Sequence, residues 1–377
     1  MADVSPSELT DMISAHSNSP NISPAITPLK LPESASHVPR VGGLDTLRFV
    51  AAFSVLLSHV LSEPPIFHWF GLDPTVGILK IIQGIYWKFF YTGISGVMVF
   101  FVISGLCIHL PHSVSLRIPS LKGYYYRRLL RILPPIVPIV LFYHFADGIT
   151  LGNSINQTIL WSVVCEVFYY IFYPFLLIIR RNRKGWGLIL FVSYAASICV
   201  LLSDPRAHSY QTFGPWLTWI LGLPCWLLGA VLAEKIQKLS QPTVTIWSIW
   251  AWRLGIWCLA ASCVVLAFKT PFKDPWTMNL FAVVAFFWIH REIIHFRTHP
   301  PLQILESFGL WSFSLYITHH LFWENWQNYW GMTKPFGFFE YLGTLGAILL
   351  FAYIYYLIIE QPTHKLSRAV AKIVGRA

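Results

Sequence analysis

Ten runs of apolar residues, near 44–61, 94–111, 132–147, 155–179, 187–203, 214–233, 250–268, 275–290, 302–323 and 341–360, leave this chain few ways to fold. Each reads as a membrane crossing, though several are short or interrupted by proline. In hydrocarbon a segment must satisfy its own backbone N–H and C=O groups, and runs of this length do so as helices. The expected fold is an all-α polytopic membrane protein of about ten transmembrane helices. Composition agrees: 55% of residues are hydrophobic and 12% charged, against about 25% charged in a soluble domain. The mean hydropathy is +0.56.

The loops give an orientation. With the amino terminus in the cytosol, only six of the 27 basic residues fall outside: Lys80, Lys88, Arg206, Lys269, Lys273 and Lys334. That distribution obeys the positive-inside rule with both termini cytosolic. The net charge of +10 follows from this topology, so it is no argument for nucleic acid, and no basic-aromatic surface suits one. Residues 1–40 are rich in Ser and Pro, lack an apolar core and read as a disordered cytosolic tail. Residues 41–368 form the membrane domain, and 369–377 a short cytosolic tail. Residues 62–93 read as an external loop followed by an interfacial or re-entrant aromatic segment.

Several side chains resist the lipid. Arg48 and His59 stand eleven residues apart in the first run, about three helical turns, so they share a face and lie roughly 16 Å apart. Ionisable groups inside a membrane segment are costly and mark functional sites by default. Glu166 is an acid placed centrally in the fourth run, where a carboxylate must be protonated, paired or hydrogen-bonded. Between the second and third runs, LRIPSLKGYYYRRLLRILPP carries Arg127, Arg128 and Arg131, and four of the five basic residues from 117 to 131 are Arg. Topology and lipid phosphate account for the charge; the choice of Arg suits bidentate binding of a specific phosphate.

The ninth run holds Ser312, Tyr316, His319 and His320. Adjacent histidines on a helix point about 100° apart, so one of the pair is expected to face a given site. Glu360, at the end of the tenth run, is expected to pair with a cytosolic Arg. Gly93, Gly96 and Gly105 fit close helix packing. Trp216, Trp219, Trp226, Trp252 and Trp257 read as interface anchors or lipid-facing bulk. The six cysteines fall in apolar runs without CxxC spacing and read as buried small hydrophobes. His295 and His299 have HxxxH spacing, but in a short loop before Pro300-Pro301, and no metal site is expected. The Asn156 sequon lies too near the bilayer to read as a glycosylation site.

Taken in order, LDTLRFVAAFSVLLSH, VMVFFVISGLCI, YYRRLLRILPP, WSVVCEVFYYIFYPFLL and SFSLYITHHLF resemble the membrane acyltransferase-3 family. Members move acetyl or other short acyl groups from a CoA thioester to hydroxyls of glycans, lipids or small metabolites. The resemblance covers residues 42 to about 368 and implies a ten-helix core. It places the family's first-helix basic residue and histidine on Arg48 and His59, and its arginine motif on Arg127, Arg128 and Arg131. Its fourth-helix pattern falls on Trp161, Ser162, Glu166 and Tyr169, and its S-x-S-L-Y-x-x-H pattern on Ser312, Tyr316 and His319. Departures are His320-Leu321 after His319, where many relatives carry a nearby Pro, and the lack of an extramembrane hydrolase-like domain.

The resemblance implies an integral-membrane O-acyltransferase, acetyl-CoA being the expected co-substrate and no cofactor being permanently bound. His59 is the expected general base, an imidazole titrating near neutral pH, with Glu166 orienting it or the acceptor. Arg48, Arg127, Arg128 and Arg131 would hold the acyl-CoA donor. His319, Tyr316, Ser312 and Trp161 would bind the acceptor or stabilise the oxyanion. The expected acceptor is a cell-surface or lipid-linked carbohydrate, with a hydrophobic metabolite or lipid as the alternative. Besides these ligands the expected partners are membrane lipids, in a bacterial inner membrane or a eukaryotic membrane. A secondary transporter would also show intramembrane His, Glu and Arg with interrupted helices.

Overall fold

A computed structural model describes residues 41–60, 66–73, 75, 77–147, 158–183, 185–238, 244–330 and 337–374. The expected tail and the Asn156 sequon lie outside the described residues. Among those described, all regular structure is helical. In chain order the helices are α1 (Leu44–Val60), α2 (Gly77–Phe90), α3 (Gly93–His109), α4 (Leu121–Asp147), α5 (Leu160–Arg183), α6 (Gly187–Ser203) and α7 (Gly214–Gln237). There follow α8 (Ile246–Lys269), α9 (Asp274–Thr298), α10 (Gln303–Gly309), α11 (Ser312–Trp330), α12 (Phe338–Tyr355) and α13 (Gln361–Val374). A π-turn, Tyr356–Glu360, joins the last two.

Each apolar run falls on one helix or a pair of them. Seven helical stretches among the described residues are long and apolar enough to cross a bilayer, and α6, with 17 residues, is a shorter apolar helix. The chain is a multi-pass integral membrane protein. Where a loop and interfacial segment was expected before the second run, α2 forms, with none of its residues buried.

The centre of the molecule is α3, packed between α1 and α7, with α9 also against it. Helices without a hydrophobic drive between them associate through close van der Waals contact, which small residues permit. Gly105 on α3 and Gly229 on α7 show this directly. A Cβ on Gly105 would overlap the carbonyl of Trp226, and one on Gly229 the carbonyl of Val102. Helix α1 also packs against α10 and α11, so it runs through the interior.

Four expectations need correction. The ninth run is two helices, broken at Leu310-Trp311. The break lets α10 turn Glu306 onto the first turn of α1, where its carboxylate accepts from Thr46 N at 3.0 Å and Thr46 Oγ1 at 2.8 Å. A carboxylate there satisfies an otherwise orphaned N–H and complements the helix dipole. Trp226 is fully buried in the core rather than lipid-facing, because Ser104 offers its indole N–H an acceptor at 3.2 Å. Cys165, Cys225 and Cys263 are buried as expected, but Cys199 and Cys258 face outward and Cys107 is half-buried beside a charge. Glu360 is held by Ser314 rather than by an arginine, its Oε2 accepting from Ser314 N at 3.0 Å and from the hydroxyl at 2.5 Å.

Candidate active site

His59 occupies the last turn of α1 and meets α11 side-on. Its Nδ1 lies 2.9 Å from the carbonyl oxygen of Val55 and 3.3 Å from His319 Nε2. His319 is fully buried, and its Nδ1 lies 2.8 Å and 3.1 Å from the carbonyls of Tyr316 and Leu315. A carbonyl only accepts, so each Nδ1 carries its ring's proton and each Nε2 its lone pair. His319 Nε2 therefore accepts from His59 Nδ1–H, and neutral His59 is held in the Nε2-basic tautomer. That is the form a general base acting through Nε2 requires.

Both adjacent histidines border His59, against the expectation that one would. The His319 and His320 rings lie 5.0 Å and 5.3 Å from the His59 ring, centroid to centroid. The His59 ring sits in the angle between the two side chains, so their divergence encloses it instead of dividing them. Tyr143 Oη, from α4, lies 3.4 Å from His320 Nδ1. Among the described residues no group of three His, Cys, Asp or Glu side chains is arranged to hold a metal ion.

Tyr316, one turn before His319, is buried against α5, with its hydroxyl 2.7 Å from Ser162 Oγ and 3.3 Å from the carbonyl of Ile159. Trp161 is buried beside it in sequence, stacked on Tyr210 with centroids 5.3 Å apart. Ser312 is not brought to His59. It sits seven residues before His319, about 10 Å along the axis, where its hydroxyl donates to the carbonyl of Gly309 and secures the α10–α11 turn.

Glu166 belongs to the other end of α1. Its Oε1 accepts from Ser104 Oγ and from Tyr170 Oη, each at 2.5 Å. Ser104 stands one turn from Cys107, whose sulfur lies 3.0 Å from Arg48 Nη2. Glu166 therefore lies towards the Arg48 end of α1, and the Tyr316 hydroxyl is also within its electrostatic range. The partners the structure gives it are Ser104 and Tyr170; orienting His59 or the acceptor was its expected role. Arg48 is compensated locally, its Nη1 donating to Asp45 Oδ1 at 2.6 Å.

The three motif arginines lie on the first turns of α4. Arg127 is exposed, Arg131 half-buried and Arg128 buried at 9% exposure, its guanidinium 6.0 Å over the Tyr124 ring. Arg128 and Arg131 both lie within electrostatic range of Tyr170, the partner of Glu166, and so does Arg48. The four arginines and Glu166 thus gather at one end of the molecule, and His59, His319 and His320 at the other end of α1. Sequence reasoning missed Tyr170, Ser104 and His320. Tyr170 had a signal, since it follows Glu166 by four residues on one helical face.

This is a membrane-embedded helical protein with a base-competent histidine at one end of a buried helix and a cluster of arginines at the other. Residues 41–357 match a family profile described as an acyltransferase domain. The chain belongs to the acyltransferase-3 family and is a membrane acyltransferase. It is 21% identical to nodulation protein 10 of Rhizobium leguminosarum bv. viciae, over 85% of this chain and 93% of the relative. No solved structure matches it.

Proposed function

We propose that this enzyme transfers a short acyl group, foremost acetyl, from acyl-CoA to a hydroxyl of a carbohydrate acceptor. The observation that carries the reading is the tautomer of His59, fixed by Val55 and His319 with its Nε2 as the basic nitrogen. The acceptor hydroxyl gives its proton to that nitrogen as its oxygen attacks the thioester carbonyl. The tetrahedral intermediate then expels the CoA sulfur, which takes a proton back from the imidazolium. As His59 becomes cationic, its Nδ1–H bonds to Val55 and His319 become charge-assisted and strengthen. His319 acts in this scheme as a positioning residue, Tyr316 and Trp161 wall the acceptor side, and Ser312 has a structural duty.

The donor's nucleotide phosphates bind Arg127, Arg128 and Arg131, while its pantetheine arm runs along α1 past Arg48 and Glu166 to the thioester at His59. A carboxylate held by Ser104 and Tyr170 is suited to accept from an amide of that arm. A hydrophobic acceptor is the second reading, and one observation favours it. A cavity of about 620 Å³ runs along α1 from Thr46 to Leu57, lined mainly by Val50, Phe53, Leu57, Phe90, Trp257 and Phe281.

The test uses the purified enzyme. His59→Ala should lower transfer of labelled acetyl from acetyl-CoA by about 10²–10⁴-fold, the usual worth of a positioned base. Transfer at the wild-type rate would remove His59 from that role. Mass spectrometry of glycans, lipids and metabolites from deletion and wild-type cells identifies the acceptor by the loss of one acetyl mass.

A further inference from the structure

We propose that α13 completes the donor site, Arg368 and His364 binding phosphate together with Arg127, Arg128 and Arg131. The inference rests on the acyl-CoA reading above and extends it beyond the family match, which ends at residue 357. Helix α13 packs along α4, and His364 and Arg368, at i and i+4, share one of its faces. Arg368 lies within electrostatic range of Arg127, and His364 within that of Arg131, Arg368 and Arg48.

The cluster is built against its own repulsion. Among the described residues, none of Arg127, Arg128, Arg131 and Arg368 forms an ion pair with a carboxylate. Glu360, an acid within electrostatic range of Arg131, spends one oxygen on Ser314, and the other lies 3.5 Å from His364 Nε2. Arg128 Nε, buried in the cluster, has no hydrogen-bond partner among the described residues. Gathered like charges and a sealed, unbonded donor each cost free energy, and an anion bound among them relieves both. Planar guanidinium forks from two helices suit a ligand with more than one phosphate. The π-turn Tyr356–Glu360 lies where α12 passes into α13, and such turns often mark functional sites.

Phosphates of a nucleotide and of an anionic lipid headgroup share this chemistry, and the experiment separates them. Binding of adenosine 3′,5′-bisphosphate to the detergent-purified full chain is measured by calorimetry, and phosphatidylglycerol retained by the same preparation by native mass spectrometry. Arg368→Gln and His364→Gln should each weaken nucleotide binding, Arg368→Gln by about tenfold and as strongly as Arg131→Gln. Arg368→Lys, which keeps the charge, should recover most of it, and this excludes a folding defect as the cause. If Arg131→Gln weakens binding and Arg368→Gln does not, α13 is no part of the site, while the donor reading stands. If neither weakens it although acetyl transfer continues, the donor reading itself is overturned. If Arg368→Gln loses phosphatidylglycerol and keeps the nucleotide, the cluster serves a lipid and the inference fails.

Discussion

Arginines occur in two settings in this molecule, and the contrast separates what holds the fold from what waits for a ligand. Arg180 on α5 donates Nε and Nη2 to Glu234 on α7 at 2.9 Å and 2.7 Å. The same carboxylate accepts from Trp186 Nε1 at 2.9 Å and lies 3.1 Å from His109 Nε2, whose Nδ1 meets Tyr173 Oη at 2.9 Å. Arg253 on α8 repeats the arrangement with Glu292 on α9, at 2.7 Å and 2.9 Å, with Trp288 Nε1 also donating. In both, charge is matched and the bonds tie helices together. Among the described residues Arg127, Arg128, Arg131 and Arg368 have no such acid, although α4 and α13 pack as closely as the paired helices do. A fold that supplies a carboxylate to Arg48, Arg180 and Arg253 and, among the described residues, none to these four gathered arginines is shaped for an anion from outside.

The largest effect that would break this contrast is on stability. Glu234→Gln leaves Arg180 without a counter-charge at a site where both side chains are 13% exposed. Breaking such a pair costs about 3–5 kcal/mol, and thermal unfolding in detergent should show a correspondingly lower midpoint. Arg131→Gln should instead leave the midpoint unchanged or slightly raised, since it removes a repelling charge. Its cost is functional: the KM for acyl-CoA should rise about ten- to hundredfold, the worth of a charge-assisted bond, and the KM for the acceptor should hold. Equal destabilisation by the two variants would erase the distinction between structural and ligand-binding arginines.

Much of this was legible in the chain because the bilayer is a severe solvent. A span must be helical and apolar, so the runs marked the helices, and Arg48, His59, Glu166 and the Arg127–Arg131 cluster stood out against them. Periodicity placed Arg48 and His59 on one face, and both do project into the protein interior, towards α3 and α11. Partnerships were not legible, because they depend on which helices lie side by side. Glu166 was expected to orient His59 or the acceptor, and nothing in its own helix announces the Ser104 hydroxyl that α3 brings to it. Trp226 looked like lipid-facing bulk because nothing in its own helix announces the Ser104 acceptor on α3. The break before α11 was hidden as well, since the contact it permits, Glu306 on the first turn of α1, lies across 260 positions of sequence.

The smallest effect sharpens the same comparison through salt. Arg127 and Arg368 are exposed, whereas the Arg180–Glu234 pair is largely enclosed by protein. Raising ionic strength from about 0.1 M to 1 M shortens the Debye length from about 10 Å to 3 Å, which screens exposed charges and leaves enclosed ones nearly untouched. The KM for acyl-CoA should therefore rise a few-fold over that range while the thermal midpoint of the wild-type enzyme changes little. Arg368→Gln should flatten the salt dependence, because a charge already removed has no attraction left to screen. A KM indifferent to salt would mean that the arginines do not meet their ligand as charges, and a midpoint falling with the same salt would mean that the compensated pairs are as exposed as the uncompensated ones.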